Sequence, residues 1–214
     1  MARRSNEKNE TAPSESRQQQ VSLGLPSPID LSKGWDVSFR TPSLKVHMDE
    51  LRSWTVDEAT KFYSGVASYE KTLDLPADFL KSGSRLYLDF GAGTSIEPTG
   101  PRTPRTQAWI DSPVREAAQV FVNGAAAGSV WHPPYAIEVT ELLHAGENEL
   151  RIEVGNLAIN TLAGRAPADY RLLNSLYGER FVAQEPGNLQ PLPSGILGPV
   201  RLVAKEALHS SVTK

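Results

Sequence analysis

The side chains best suited to chemistry in this 214-residue chain are an aromatic group, Trp131, His132 and Tyr135, set around Pro133-Pro134. Proline restricts its own backbone and that of the residue before it to extended forms, so the run can hold flat rings at one rim of a domain. A saccharide presents apolar CH faces and hydroxyl edges. A site for one needs an aromatic plane with polar neighbours, and Asn156, Asn160 and Arg165 are the polar candidates. The competing reading, which the energetics of aromatic burial favour, makes Trp131 and Tyr135 packing residues. Trp109, close to Arg102 and Arg105, is a second candidate contact for a saccharide or a neighbouring domain, or an anchor for its own loop.

Other chemistries find less support. Glycoside hydrolysis needs two carboxyl groups facing each other across a bond, about 5–5.5 Å apart for retention or about 6.5–9.5 Å for inversion. The chain has 25 acidic residues, but Glu70, Asp74, Glu138, Glu149 and Glu153 fall at outward strand positions, and no pair is marked by an apolar pocket that would raise one pKa. No catalytic residue is assigned. His47, His132, His144 and His209 lack the spacing of zinc ligands, so no metal site is expected. A structural calcium ion is compatible with the fold, but no residue pattern points to it. Ser64-Gly65 and Ser194-Gly195 lack the Gly-x-Ser-x-Gly elbow of a serine nucleophile. Cysteine is absent, which excludes disulfides and thiolate chemistry.

The elements that must position these groups are strands. Val120-Phe121-Val122 precedes Asn123-Gly124, a dipeptide that takes the positive φ angles of a type I′ turn at low cost, so two antiparallel strands should meet there. Ile137 and Val139 share a face, as do Leu150, Ile152 and Val154, while Glu138, Glu149, Arg151 and Glu153 face water. Between these strands Thr140 is expected to cap one helical turn that Gly146 ends. Trp35, Val37 and Phe39 alternate with polar residues as a first strand. A polar connection containing Trp54 follows, then a strand within Phe62–Leu75, another at Arg85–Phe90 and a last one near Val200–Val203. Gly91 to Gln107 reads as a long surface loop. Gly155 to Gly195 reads as an excursion with a short helix near Tyr170–Leu176.

Residues 1–27 are polar and nearly empty of large apolar side chains, which suits a disordered leader. The sandwich is expected over 28–206, with a tail at 207–214. A net charge of −3 with mixed signs gives no reason to expect nucleic acid or a membrane as partner. No apolar stretch approaches the roughly 18 residues of a membrane helix, and the first 20 residues lack the core of a signal peptide, so the sequence carries no address.

Five blocks in order, WDVSF (35–39), FYSGVASYEKTLDLP (62–76), RLYLDFG (85–91), VFVNGAAAGSVWHPPYAIEVTELLHAGENELRIEVGNLAIN (120–160) and LPSGILGPVRL (192–202), resemble the galactose-binding-like jelly-roll domain of α-L-rhamnosidase-like glycoside hydrolases. More distantly the chain is similar to the sugar-binding domain of β-galactosidase and β-mannosidase relatives. The resemblance spans about Ile29 to Lys205. It implies an all-β antiparallel sandwich of jelly-roll type, a saccharide ligand, and a catalytic barrel as partner, as a domain or a separate chain. Many such members carry Trp-x-Asn-Arg after the strand that ends near Gly155. Here Asn156 to Gly164 keeps asparagines and a glycine without the aromatic or the arginine. With no barrel in this chain, the resemblance implies a non-catalytic accessory module. The alternatives are a free-standing lectin-like carbohydrate binder using Trp131, His132 and Tyr135, or a purely architectural domain.

Overall fold

The computed structural model describes residues 25–80, 84–97, 110–166, 169–180 and 189–206. Its strands in chain order are β1 (Ile29–Asp30), β2 (Lys33–Phe39), β3 (Leu44–Glu50), β4 (Val66–Leu75), β5 (Ser84–Asp89), β6 (Thr94–Ser95), β7 (Ile110–Asp111), β8 (Val114–Arg115), β9 (Ala117–Val122), β10 (Ala125–Val130), β11 (Ala136–Glu138), β12 (Gly146–Gly155), β13 (Gly195–Ile196) and β14 (Arg201–Glu206). Six of them form one sheet in the order β10-β9-β12-β4-β2-β3, and four form the other in the order β1-β14-β5-β11. Two-stranded ribbons β13-β8 and β6-β7 complete the set. Every pairing is antiparallel. The architecture is the all-β sandwich that alternating apolar and polar residues imply.

Burial follows the alternation. Trp35, Val37 and Phe39 on β2, Tyr69, Leu73 and Leu75 on β4, Val120 and Val122 on β9, and Leu150, Ile152 and Val154 on β12 line the inner face of the large sheet. Leu86 and Leu88 on β5, Ile137 on β11 and Leu202 and Ala204 on β14 face them from the small one. Asn123 at φ 52° and Gly124 at φ 81° make the turn between β9 and β10, where Val122 pairs with Ala125. This is the twist-compatible hairpin expected of Asn-Gly.

Several local expectations need correction. The segment that reads as a polar connection contains a whole strand, β3, paired with β2 from Lys33↔Glu50 to Phe39↔Leu44. It lies at the sheet edge and buries only Met48 completely, so it shows little alternation. Trp54, placed in that connection, is fully buried. Thr140 does not cap the turn at Thr140–Leu142, since the residue before it holds that place without a side-chain bond. The Thr140 hydroxyl instead accepts from the Leu86 N–H at 2.9 Å and ties the turn to β5. Gly146 takes φ 85° but opens β12 rather than closing the turn. The expected strand in Phe62–Leu75 begins only at Val66.

In the excursion between β12 and β13, a short helix α1 (Ile159–Ala163) precedes the expected one, α2 (Arg171–Tyr177). Most of the proposed loop Gly91–Gln107, with Trp109 beyond it, lies outside the described residues, as do the bulk of the leader and the tail. The described flanks of that loop pair as β6 and β7, Thr94↔Asp111 and Ser95↔Ile110. Among the described residues no helix is long and apolar enough to cross a membrane.

Candidate functional site

The six residues singled out from the sequence fall into three settings. Trp131 follows the last residue of β10 and is 65% exposed. His132 meets it edge to face, with ring centroids 4.4 Å apart. The His132 Nδ1–H donates to the Pro133 carbonyl at 2.6 Å, which fixes the ring's tautomer and orientation. Tyr135, four residues beyond Trp131, is instead buried. Its carbonyl accepts from the Phe90 N–H at 2.9 Å and anchors the start of β11 on β5.

Tyr135 forms one wall of a groove of about 530 Å³, together with Pro133, Pro134 and Pro199. The polar side belongs to a cross-strand row of the small sheet, where Asp30, Arg201, Asp89 and Ala136 lie in register on β1, β14, β5 and β11. Asp89 Oδ1 accepts from the Gly91 N–H at 2.7 Å. Hydrogen bonds from Ser32 hold the Asp30 carboxyl below its usual range. Lys205, at the far end of the groove, places its ammonium 4.7 Å from the centre of the Tyr87 ring. Proline rings offer apolar contact while Arg201 donates and Asp89 accepts. The set suits a ligand with apolar faces and hydroxyl edges.

Asn156 and Asn160 occupy the second setting. The Asn156 amide donates to the Tyr63 carbonyl at 2.8 Å and to Ser194 Oγ at 3.0 Å, and its oxygen accepts from the Gly65 N–H at 2.9 Å. The Asn160 amide donates to Leu192 O at 2.9 Å and Ser194 Oγ at 3.0 Å, and its oxygen accepts from the Leu192 N–H at 2.9 Å. With Asn160 only 1% exposed, both amides brace the backbone of residues 63–65 and 192–194. By register Trp131 sits level with Gly155, two strand spacings or about 10 Å away. Asn156 is therefore near the aromatic rim, but its amide is already engaged. Arg165 forms the third setting, exposed just past α1.

Ser194 leads into the part that the sequence did not disclose. Gly195 has φ +99°, and a Cβ there would lie 2.5 Å from Tyr69 Oη and 2.6 Å from Trp54 Nε1. Trp54 Nε1–H donates to Tyr69 Oη at 2.6 Å, and the Ile196 N–H reaches the same oxygen at 3.4 Å. Phe39, Trp54 and Tyr63 stack edge to face around this bond. Burial pushes the Tyr69 phenol up to about 12. The glycines of LPSGILGP were the available signal, since only a residue without Cβ fits against the two aromatic rings.

Acid–base chemistry finds little footing. Among the described residues the buried polar side chains are Thr60, Asn148, Asn160 and Ser194, and no carboxylate is among them. Asp36 and Glu70 pair across β2 and β4 but lie on the exposed face, where His47 Nδ1 meets the Asp36 carboxylate at 2.7 Å. A general acid at neutral pH needs burial to hold its proton, and neither of these side chains is buried. No cluster of three or more His, Asp or Glu side chains that could hold a metal occurs among the described residues.

No family model matches the chain. A Formosa agariphila protein described as a "Putative beta-glucuronidase" is 33% identical over 203 residues, covering 83% of this chain and 16% of its own length. The solved rhamnosidase of Novosphingobium sp. PP1Y shares the fold with a TM-score of 0.59 at 24% identity, covering 89% of this chain and 16% of that one. The Bifidobacterium dentium β-glucuronidase complexed with coumarin-3-O-glucuronide has a TM-score of 0.51 at 20% identity, with 85% and 30% covered. The chain thus spans about one sixth of the length of the first two, and the similarity to glycoside hydrolases is that of one sandwich portion within much longer polypeptides.

Proposed function

We propose that this chain, a galactose-binding-like sandwich of the kind carried by rhamnosidase and β-glucuronidase polypeptides, is a non-catalytic accessory module of a glycoside hydrolase that packs beside a catalytic domain and contributes a wall to its saccharide cleft. One observation supports this most: a sandwich with every described carboxylate in contact with solvent corresponds to one sixth of a glycoside-hydrolase-like relative. Bond cleavage needs two acids in opposed environments, and the hydrolase chemistry is then expected elsewhere in the enzyme. The groove of Pro133, Pro134, Tyr135, Asp89 and Arg201 is the saccharide-facing surface in this reading.

Calorimetric titration with rhamnose-, galactose- and glucuronate-containing oligosaccharides tests it. Weak binding that Arg201→Ala abolishes supports the groove, whereas no heat with any of the three removes the saccharide role. The exposure of Trp131 favours a second reading, a free-standing lectin-like binder. In that case the heat persists in Arg201→Ala and disappears in Trp131→Ala.

A further inference from the structure

We infer that the apolar side of α2, within the excursion between β12 and β13, is the surface through which this module docks on the remainder of a larger glycoside-hydrolase polypeptide. The inference rests on the accessory reading and names the face that reading leaves open.

Seven of the fourteen large apolar side chains exposed among the described residues lie between Leu157 and Leu192. That stretch holds only 26 of the 157 described residues. Four of the seven are on α2 itself, namely Leu172, Leu173, Leu176 and Tyr177, and none of its residues is buried. A helix of seven residues without a side-chain N-cap is too short to persist on its own propensity, so its stability has to come from packing on something. Nothing in its charge opposes an apolar partner. Arg171 is neutralised by Asp169, whose carboxylate receives the guanidinium at 2.6 and 2.9 Å.

The size of the face distinguishes a tethered domain from a second copy. At about 200 Å² for a whole large side chain, and exposures between 38% and 72%, the four offer roughly 500 Å². Stable complexes of separate chains use about 800 Å² per partner. A domain in the same polypeptide needs less, because tethering raises its effective concentration. Relatives about six times longer supply such a domain. The occupant is therefore an uncharged, apolar patch on the rest of the enzyme.

Hydrogen exchange read by mass spectrometry, on this chain, on its L172E/L176E variant and on the whole Formosa agariphila relative, tests the assignment. The amides of 171–177 should exchange freely in this chain, and the aligned peptide of the relative at least tenfold more slowly. The double variant should keep the melting temperature and the protection of β4 and β12, and both forms should sediment as monomers. An aligned peptide equally open in the relative overturns the assignment. So does loss of core protection in the variant, which would mean that the face packs within this chain. A dimer that the variant dissolves overturns it in favour of a second copy. Turnover of aryl glycosides by this chain alone would refute the accessory reading, a result separate from any exchange pattern.

Discussion

The ends and the middle of the excursion after β12 use their side chains in opposite ways. Around Ser194, Asn156, Asn160, Trp54 and Tyr69 the buried side-chain polar atoms all have partners, and the backbone at Gly195 passes within contact of two aromatic rings. Along α2, which ends 17 residues before Ser194, four large apolar side chains face solvent. A region whose hydrogen bonds are complete has no capacity left for a ligand. A region that leaves apolar area uncovered has capacity only for a surface of like character. Function in this module is therefore expected at the proline groove and at α2, and rigidity at the Ser194 hub.

The strongest way to break that contrast is to fill the space the hub requires to be empty. Gly195→Val forces a side chain against Tyr69 Oη and Trp54 Nε1 from a positive φ, and a loss of about 3–5 kcal/mol is expected from combined overpacking and backbone strain. Chemical denaturation measures it. A loss below about 1 kcal/mol would mean that the hub is not tightly packed.

Tyr69→Phe is the next largest. It leaves the buried Trp54 N–H without its acceptor, at a cost of about 1–3 kcal/mol. Tyr69 also sets an alkaline limit. Its folded-state pKa, raised by burial to about 12, exceeds the ordinary tyrosine value of about 10. Between these values the folded protein holds a proton that the unfolded chain has released, so stability falls as pH rises through that window and is complete below it. Denaturation from pH 9 to 12 should show the decline in the parent and a shallower one in Tyr69→Phe. Equal slopes would separate the phenol from the effect.

The smallest effects belong to the exposed region. Leu172→Ala and Trp131→Ala should each change stability by no more than about 0.5 kcal/mol, because neither side chain contributes to the core. A cost near 2 kcal/mol for Leu172→Ala would show that α2 packs on its own sandwich and would erase the contrast.

The same contrast explains what the sequence makes legible. β2, β4, β5, β9, β12 and β14 are readable because one face of each is buried, which imposes a period of two on their letters. Asn123-Gly124 is readable because few dipeptides tolerate both φ values. β3 is not, because an edge strand that fully buries only Met48 has no period to display. Asn156 and Asn160 look alike whether they hold a sugar hydroxyl or a backbone amide, and only the folded chain shows that residues 63–65 and 192–194 take up their bonds. Asp89 and Arg201 carry no signal of a site in the sequence for a related reason. Their letters are those of any outward strand position, and it is the register Asp30–Arg201–Asp89 beside the prolines that sets them on one groove.

Hydrolysis is not expected because the described residues of this sandwich hold no paired, desolvated acids, and steady-state assay of the purified chain with aryl rhamnosides, galactosides and glucuronides tests that most directly. No turnover above the uncatalysed rate is the expected result. Turnover abolished by a single substitution such as Glu70→Gln or Asp36→Asn would contradict it.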